Sequence, residues 1–474
     1  MCHVPQYGQR GGIVHAPRCR YGRENRIEEG QDMDERLGMS AAELGRAIGR
    51  GAVDPVDLTR ACLDAAAAHP MGARIYARLT PERAEAEAHA AAERARAGQR
   101  LSPLDGVPAS WKDLFDTAGV ATEAGSALLA GRVPERDARV LRNATAGGLV
   151  CLGKTHMSEL AFSGLGLNPI TETAPCVHDP ARVAGGSSSG AAASIAHGLA
   201  PVAVGSDTGG SVRIPAAWND LVGLKTTHGR LSLEGVVPLC ETFDTVGPLA
   251  RTVEDAALML GLLEGGPAPD LRGASLKGRR FAALQTVVMD DLDDAPARAF
   301  ADATAALQDA GAQITPLEAP EVAHAMELSG VLFTTDAYGY WRDSIEAHPE
   351  AMYPPILERF RAGQAHSGPD YVAGWIALRH YRAQWAARVA GFDGVLMPSC
   401  PSVPPEIDRL QTDGAYYVRE NLRVLRNTRV ANLMGLCAVT LPTGVPSSGL
   451  MIASTGREES LLRIAHAAEA ALAG

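Results

Sequence analysis

Long apolar runs are missing from this 474-residue chain, and so is any excess of positive charge. No stretch of about 18 strongly apolar residues occurs, so no membrane span and no membrane partner are expected. The Ala-rich segment from Gly190 to Gly205 is broken by Ser194, His197 and Pro201. With 44 basic against 55 acidic residues the net charge is −11, which leaves no surplus to neutralise phosphates and argues against a nucleic-acid partner. The eight cysteines include no pair at CxxC spacing. That excludes the usual zinc frameworks and a disulfide scaffold, and it suits reduced thiols in a cytosol; no metal is expected. The first 32 residues hold few aliphatics, show no helical period and lack the apolar core of a secretory signal. A flexible tail is expected over 1–36, with Met33 as an alternative start, and one domain over 37–474.

What remains is a globular composition, 46% apolar and 21% charged. Ser40 followed by Glu43 reads as a capping box that opens a helix ending near Gly51. Asp57 to His69 continues at helical spacing, and Thr80-Pro81 opens a long polar helix with proline at its first position. From Leu104 the texture changes. GVPASWKDLF, GGLVCLGKT, APVAVGSD and GLKTT read as buried strands, and DARVLRNATAG, SGAAASIAHG and TVEDAALMLGLLEG as helices between them. GRRFAALQTVV, the helix pattern after it and QITPLE add a further strand–helix–strand unit. Such alternation predicts an α/β core with a largely parallel sheet. Residues 322–430 are more irregular and carry Tyr338, Tyr340, Trp341 and Tyr353, as a substrate-pocket region or as ordinary core. CAVTLP and GLMIAS read as two strands, and REESLLRIAHAAEAALA as a closing helix.

Three motifs compete for the chemistry. Gly148, four residues, Gly153, Lys154 and Thr155 match a phosphate loop, but the intervening Leu149 to Leu152 is an apolar run that favours a strand over a phosphate cradle. Lys154 is therefore expected to be structural, with nucleotide binding the distant alternative. Gly186-Ser187-Ser188-Ser189-Gly190 fits a nucleophile elbow centred on Ser188, yet the proline-bearing, polar segment upstream makes a poor central strand. The third pattern is longer. GGSSSG, a small-residue helix, an apolar strand and SDTGGSVRIP follow one another, so that Ser211 lies 24 positions after Ser187; Lys112, in DGVPASWKDLF, lies 75 positions before Ser187.

This third constellation resembles the amidase signature family. The match runs from Gly185 through Pro215, continues in GLKTTHGRLS and FDTVGPLARTVEDAA, and covers roughly residues 40 to 290. The resemblance implies a large, twisted, mixed sheet with a mostly parallel core and helices on both faces. It implies an amidase that needs no cofactor and takes a small-molecule amide, in a cytoplasmic setting that allows a homodimer. Ser211 would be the acylated nucleophile, Lys112 the base, and Ser187 the hydroxyl between them, entered through a cis Gly186–Ser187 bond. Thr208, Gly209, Gly210 and Ser211 would offer amides to the oxyanion, each worth about 2.7–4 kcal/mol of transition-state stabilisation. Ala161 to Ser163 would lie beside the acyl group, and Asp207 and Arg213 would orient the loop. A lysine base must be neutral, so its reference pKa of about 10.4 has to fall by about three units. Burial beside Trp111, Leu114 and Phe115 is the expected means.

Two departures bear on the substrate. Thr226-Thr227-His228-Gly229 stands where the family commonly has Pro-Thr-x-Gly. Gly164 to Asn168 lacks the Ser-Thr-Glu run that looks typical of the glutamine-using subunits of tRNA amidotransferases, which are the alternative assignment within the same chemistry.

Overall fold

The computed structural model describes residues 36–454 and 457–473. The expected tail falls outside them except for Arg36. Eleven strands form one sheet: β1 Tyr76–Leu79, β2 Pro108–Lys112, β3 Val150–Thr155, β4 Val202–Ser206, β5 Val222–Lys225, β6 Val246–Ala250, β7 Arg280–Leu284, β8 Gln313–Leu317, β9 Gly394–Pro398, β10 Cys437–Pro442 and β11 Gly449–Ser454. Their spatial order is β1-β3-β2-β4-β6-β5-β10-β11-β9-β7-β8.

Parallel pairing holds in β3–β2–β4 and in β9–β7–β8, the two blocks built by strand–helix–strand alternation. The neighbours from β4 through β6, β5, β10 and β11 to β9 run antiparallel, as does β1 on β3. The expected α/β class with a large mixed sheet is the fold the chain adopts. β2, β3, β4, β5, β6 and β9 are buried at every position. Both faces of a strand that is buried throughout must be covered, and helices cover them.

Local signals explain the helices nearest the site. Ser40 and Glu43 form the reciprocal capping box. Pro81 opens Pro81–Arg96, whose Ala84, Ala88, Ala91 and Ala92 turn inward while the charged positions face out. The helix Ser189–Ala196 lies against β2 and β4. Its small side chains allow that approach: a Cβ at Gly190 would meet Ile75 O at 2.5 Å. Among the described residues no helix is long and apolar enough to cross a membrane.

The phosphate-loop alternative fails here. Leu152, Gly153 and Lys154 are strand residues of β3. Lys154 is fully buried, with its Nζ donating to Phe115 O at 2.7 Å and to Thr122 Oγ1 at 2.9 Å and lying 3.3 Å from Asp113 Oδ1. An ammonium so engaged cannot reach a phosphate.

Candidate active site

β2 and β4 are parallel neighbours in the sheet, and each ends on a polar residue at the same edge: Lys112 and Ser206. Strand geometry thus aims two polar groups into an otherwise apolar interior. Lys112 has no solvent exposure. Its Nζ lies 2.7 Å from Ser187 Oγ and 2.8 Å from Ser206 Oγ. Burial pushes its pKa down to about 7, although the Asp244 and Asp207 carboxylates pull the other way. The Gly186–Ser187 peptide bond is cis.

Ser211 comes from the loop between β4 and the helix Arg213–Trp218. Its carbonyl accepts from Ser188 N at 3.2 Å, which ties the two serine loops together. Its hydroxyl makes no hydrogen bond among the described residues, to Ser187 included, and the residue retains 4% exposure at the pocket floor. Catalytic hydroxyl contacts often close only when substrate is bound.

Asp207 organises this loop. Its Oδ1 accepts from Gly210 N at 2.9 Å and its Oδ2 from Val212 N at 3.1 Å. Arg213 Nη2 donates to Asp207 Oδ1 at 2.9 Å and to Asn432 Oδ1 at 2.6 Å, and Arg213 Nη1 donates to Thr428 O at 2.6 Å. Burial alone would raise the Asp207 carboxyl; the adjacent guanidinium outweighs it and holds the group well below the usual carboxylate range.

The bond to Asp207 bears on which amides of the loop are available to an oxyanion. Gly210 N is already engaged, so among the described residues the amides of this loop without a protein acceptor are those of Thr208, Gly209 and Ser211. The glycine is still required by its backbone. Its φ is +138°, and a Cβ there would meet Thr428 Oγ1 at 2.1 Å. Gly210→Ala is expected to lower kcat by about 10²–10³-fold, because the loop must shift by enough to lose a donor. Steady-state kinetics on variant protein that retains its melting temperature would check this.

Other polar residues have structural partners. Ser188 Oγ donates to Ser206 O at 3.2 Å and accepts from Ser206 N at 3.3 Å. Among the described residues no strand leads directly into it, as a nucleophile elbow requires. Among the histidines, His156 is buried and pushed down to about 4 by desolvation, His197 packs edge-on against His69, and His228 bonds Glu241 O at the surface. None contacts a site serine hydroxyl.

A tight pocket of about 20 Å³ rises over Ser211, Thr208 and Gly209 between Ala161, Ser163 and Leu425. Leu160 and Ala161 adopt left-handed backbone (φ +44° and +60°), and Ala161 shares the pocket with the Ser211 loop. Ser163 Oγ donates to Asn421 Oδ1 at 3.1 Å, and Gly164 N donates to the same oxygen at 2.9 Å. Beyond Phe333 the pocket opens into an outer cavity of about 550 Å³, walled by residues of 329–362 and 414–429. Tyr338, Tyr340, Trp341 and Tyr353 line neither space. Trp341 instead packs inward and donates to Pro238 O at 2.9 Å, while Tyr340 faces solvent.

Sequence reasoning missed Ser206, Asp244, Asn421, Arg359 and Arg429. Asp244, pushed up to about 6 by burial, accepts from Thr208 Oγ1 and from the amides of Leu239 and Cys240. Ser206, immediately before Asp207, was within reach of a register argument had the β2–β4 pairing been known.

A family model described as Amidase matches residues 57–462. The chain is 35% identical to the 2-amino-5-chloromuconic acid deaminase of Comamonas testosteroni, over 90% of this chain and 95% of that protein. It is 31% identical to the A-type subunit of the glutamyl-tRNA(Gln) amidotransferase of Chloroflexus aggregans, over 91% of this chain and 95% of that one. Among solved structures, the native peptide amidase from Stenotrophomonas maltophilia matches with a TM-score of 0.77 at 27% identity, over 91% of this chain and 96% of that one.

Proposed function

The chain belongs to the amidase family and is an amide-hydrolysing enzyme, and from that premise we propose that it cleaves a carboxamide through an acyl-serine on Ser211 primed by Lys112 and Ser187. The observation that carries this reading is the lysine itself. A fully buried amine 2.7 Å from a serine hydroxyl is poised to be neutral near pH 7, and a neutral amine is a base.

Lys112 Nζ takes the proton of Ser187 Oγ as Ser187 takes that of Ser211, and Ser211 Oγ bonds to the carbonyl carbon. The carbonyl π pair moves onto oxygen, where the amides of Thr208, Gly209 and Ser211 receive it. Collapse breaks the C–N bond, and the nitrogen leaves as ammonia or amine with the proton returned from Lys112 through Ser187. Water then attacks the acyl ester by the same relay and releases the acid. No metal or cofactor is called on.

The base must be deprotonated, so kcat/KM is expected to climb about tenfold per pH unit below 7, bend near 7 and level off above it. A pH–rate profile between 5 and 9.5 checks this; a profile flat across that range would remove Lys112 from the base role. The relatedness to the glutamyl-tRNA(Gln) amidotransferase chain supports a second reading, in which glutamine supplies the ammonia and a partner receives it. Release of ammonia by the purified chain from simple amides, with L-glutamine a poor substrate, favours the free hydrolase.

A further inference from the structure

Two arginines stand where the inner pocket meets the outer cavity, and neither has an acid. Arg359, from the helix Pro354–Arg361, and Arg429, from the helix Gly414–Met434, line both spaces. Arg359 lies over the Phe162 ring at 4.4 Å, and its Nη1 is shielded from solvent without a hydrogen-bond partner. Arg429 is 8% exposed; its guanidinium lies 5.7 Å from the Phe333 ring, and its Nη1 makes one long contact, 3.3 Å, to Ser329 Oγ. No carboxylate of the described residues forms an ion pair with either side chain. The buried guanidinium of Arg213, by contrast, is paired with Asp207.

Burying a charge without its counterion is costly, and two like charges on one wall add to the cost. Burial presses on the proton of Arg429, and the Arg359 charge adds to it; arginines nonetheless stay charged at neutral pH. Such a pair is stabilised when an anion arrives. Phe162, Leu239 and Leu425 line the inner pocket together with the arginines and the Ser211 loop. Among the described residues Glu358 is the one carboxylate lining either space, on the outer wall and 3.8 Å from Arg361.

We propose that Arg359 and Arg429 form a carboxylate-binding subsite, and that the substrate is the monoamide of a dicarboxylic acid whose free carboxylate sits between them. This rests on the amidase reading above. The inner pocket offers no acid to an ammonium group, so a ligand carrying one beside its carboxylate is disfavoured, and L-glutamine with it.

The test compares the monoamides of malonic, succinic, glutaric and adipic acids with neutral amides in which a methyl replaces the carboxylate, and compares glutaric monoamide with L-glutamine. The preferred monoamide is expected to exceed its neutral counterpart by about 100-fold in kcat/KM, and glutaric monoamide to exceed glutamine. Arg359→Gln and Arg429→Gln should each lower the acid-to-neutral ratio by about 10- to 100-fold, mainly through KM, with the lysine variants restoring it in part. In parallel, calorimetry with the three- to six-carbon dicarboxylates on Ser211→Ala protein, with and without Arg429→Gln, reads the subsite without turnover. Neutral amides cleaved as well as the acids, at a ratio neither variant moves, would overturn the subsite and leave the amidase intact. Dicarboxylate binding that Arg429→Gln abolishes, in a protein that releases ammonia from no amide, would uphold the subsite and overturn the hydrolase. Absence of both binding and preference overturns the proposal.

Discussion

Ser211→Ala is expected to end turnover, with kcat falling by about 10⁵–10⁶-fold, the scale on which loss of a catalytic nucleophile registers elsewhere. The hydroxyl it removes makes no hydrogen bond among the described residues, so the loop loses no tie there: Asp207 still holds Gly210 N and Val212 N, and Ser188 N still donates to the carbonyl of residue 211. Thermal stability should therefore stay within the range of a surface substitution. Ser188→Ala supplies the contrast. It deletes a hydroxyl bonded to Ser206 on both sides, so it is expected to cost stability before chemistry. Should Ser211→Ala keep full activity while Ser188→Ala loses it, the nucleophile has been misassigned.

Lys112→Met should lose at least about 10³-fold in activity, and no rise in pH should restore it, because thioether sulfur offers no base. The same variant is expected to be more stable than the parent. The native pKa is about 7, well below the unfolded value of about 10.4. Between those values the unfolded chain binds the extra proton, so stability rises with pH through this window and is lowest below pH 7. At pH 7 the deficit is on the order of 4 kcal/mol. Losing the contacts to Ser187 and Ser206 gives back about 1 kcal/mol each, which leaves a net gain of about 2 kcal/mol. Differential scanning calorimetry at pH 6 and pH 9 reads it: the melting temperature of Lys112→Met should exceed the parent's at pH 6 and the gap should narrow at pH 9. A destabilised variant at both values would show that the lysine is there to hold the fold.

Much of this was legible in the sequence where the cause is local. The Ser40–Glu43 box, Pro81 at a helix start, the short, mostly apolar runs of β2 to β4 and the small-residue helix after Ser189 all follow from propensity, capping and period. So did the position of Lys112 at the end of a buried strand and the structural role of Lys154. The arginines were not legible. Arg359 in PPILERFR and Arg429 in RNTRVANL stand in polar helical runs, where an arginine ordinarily reaches water. Only the packing of two segments about seventy residues apart turns them onto one wall. Gly210 misled for a related reason: two glycines before a serine advertise free amides, but which amide stays free depends on where the Asp207 carboxylate points. The aromatics of 338–353 stayed open between pocket and core, because an abundance of rings says nothing about which face of a helix they occupy.

The helix Gly414–Met434 carries two stripes side by side. Thr428 and Asn432 hold the loop that presents Ser211, through Gly209 O and through Arg213, while Leu425 and Arg429 line the inner pocket. Whatever reshapes the second stripe therefore tugs on the first. A change in acyl preference is therefore expected to cost least away from that helix, at Phe333 and Arg359, which among the described residues make no hydrogen bond to the Ser211 loop, whereas substitutions on the shared helix are expected to slow turnover as they change what is accepted.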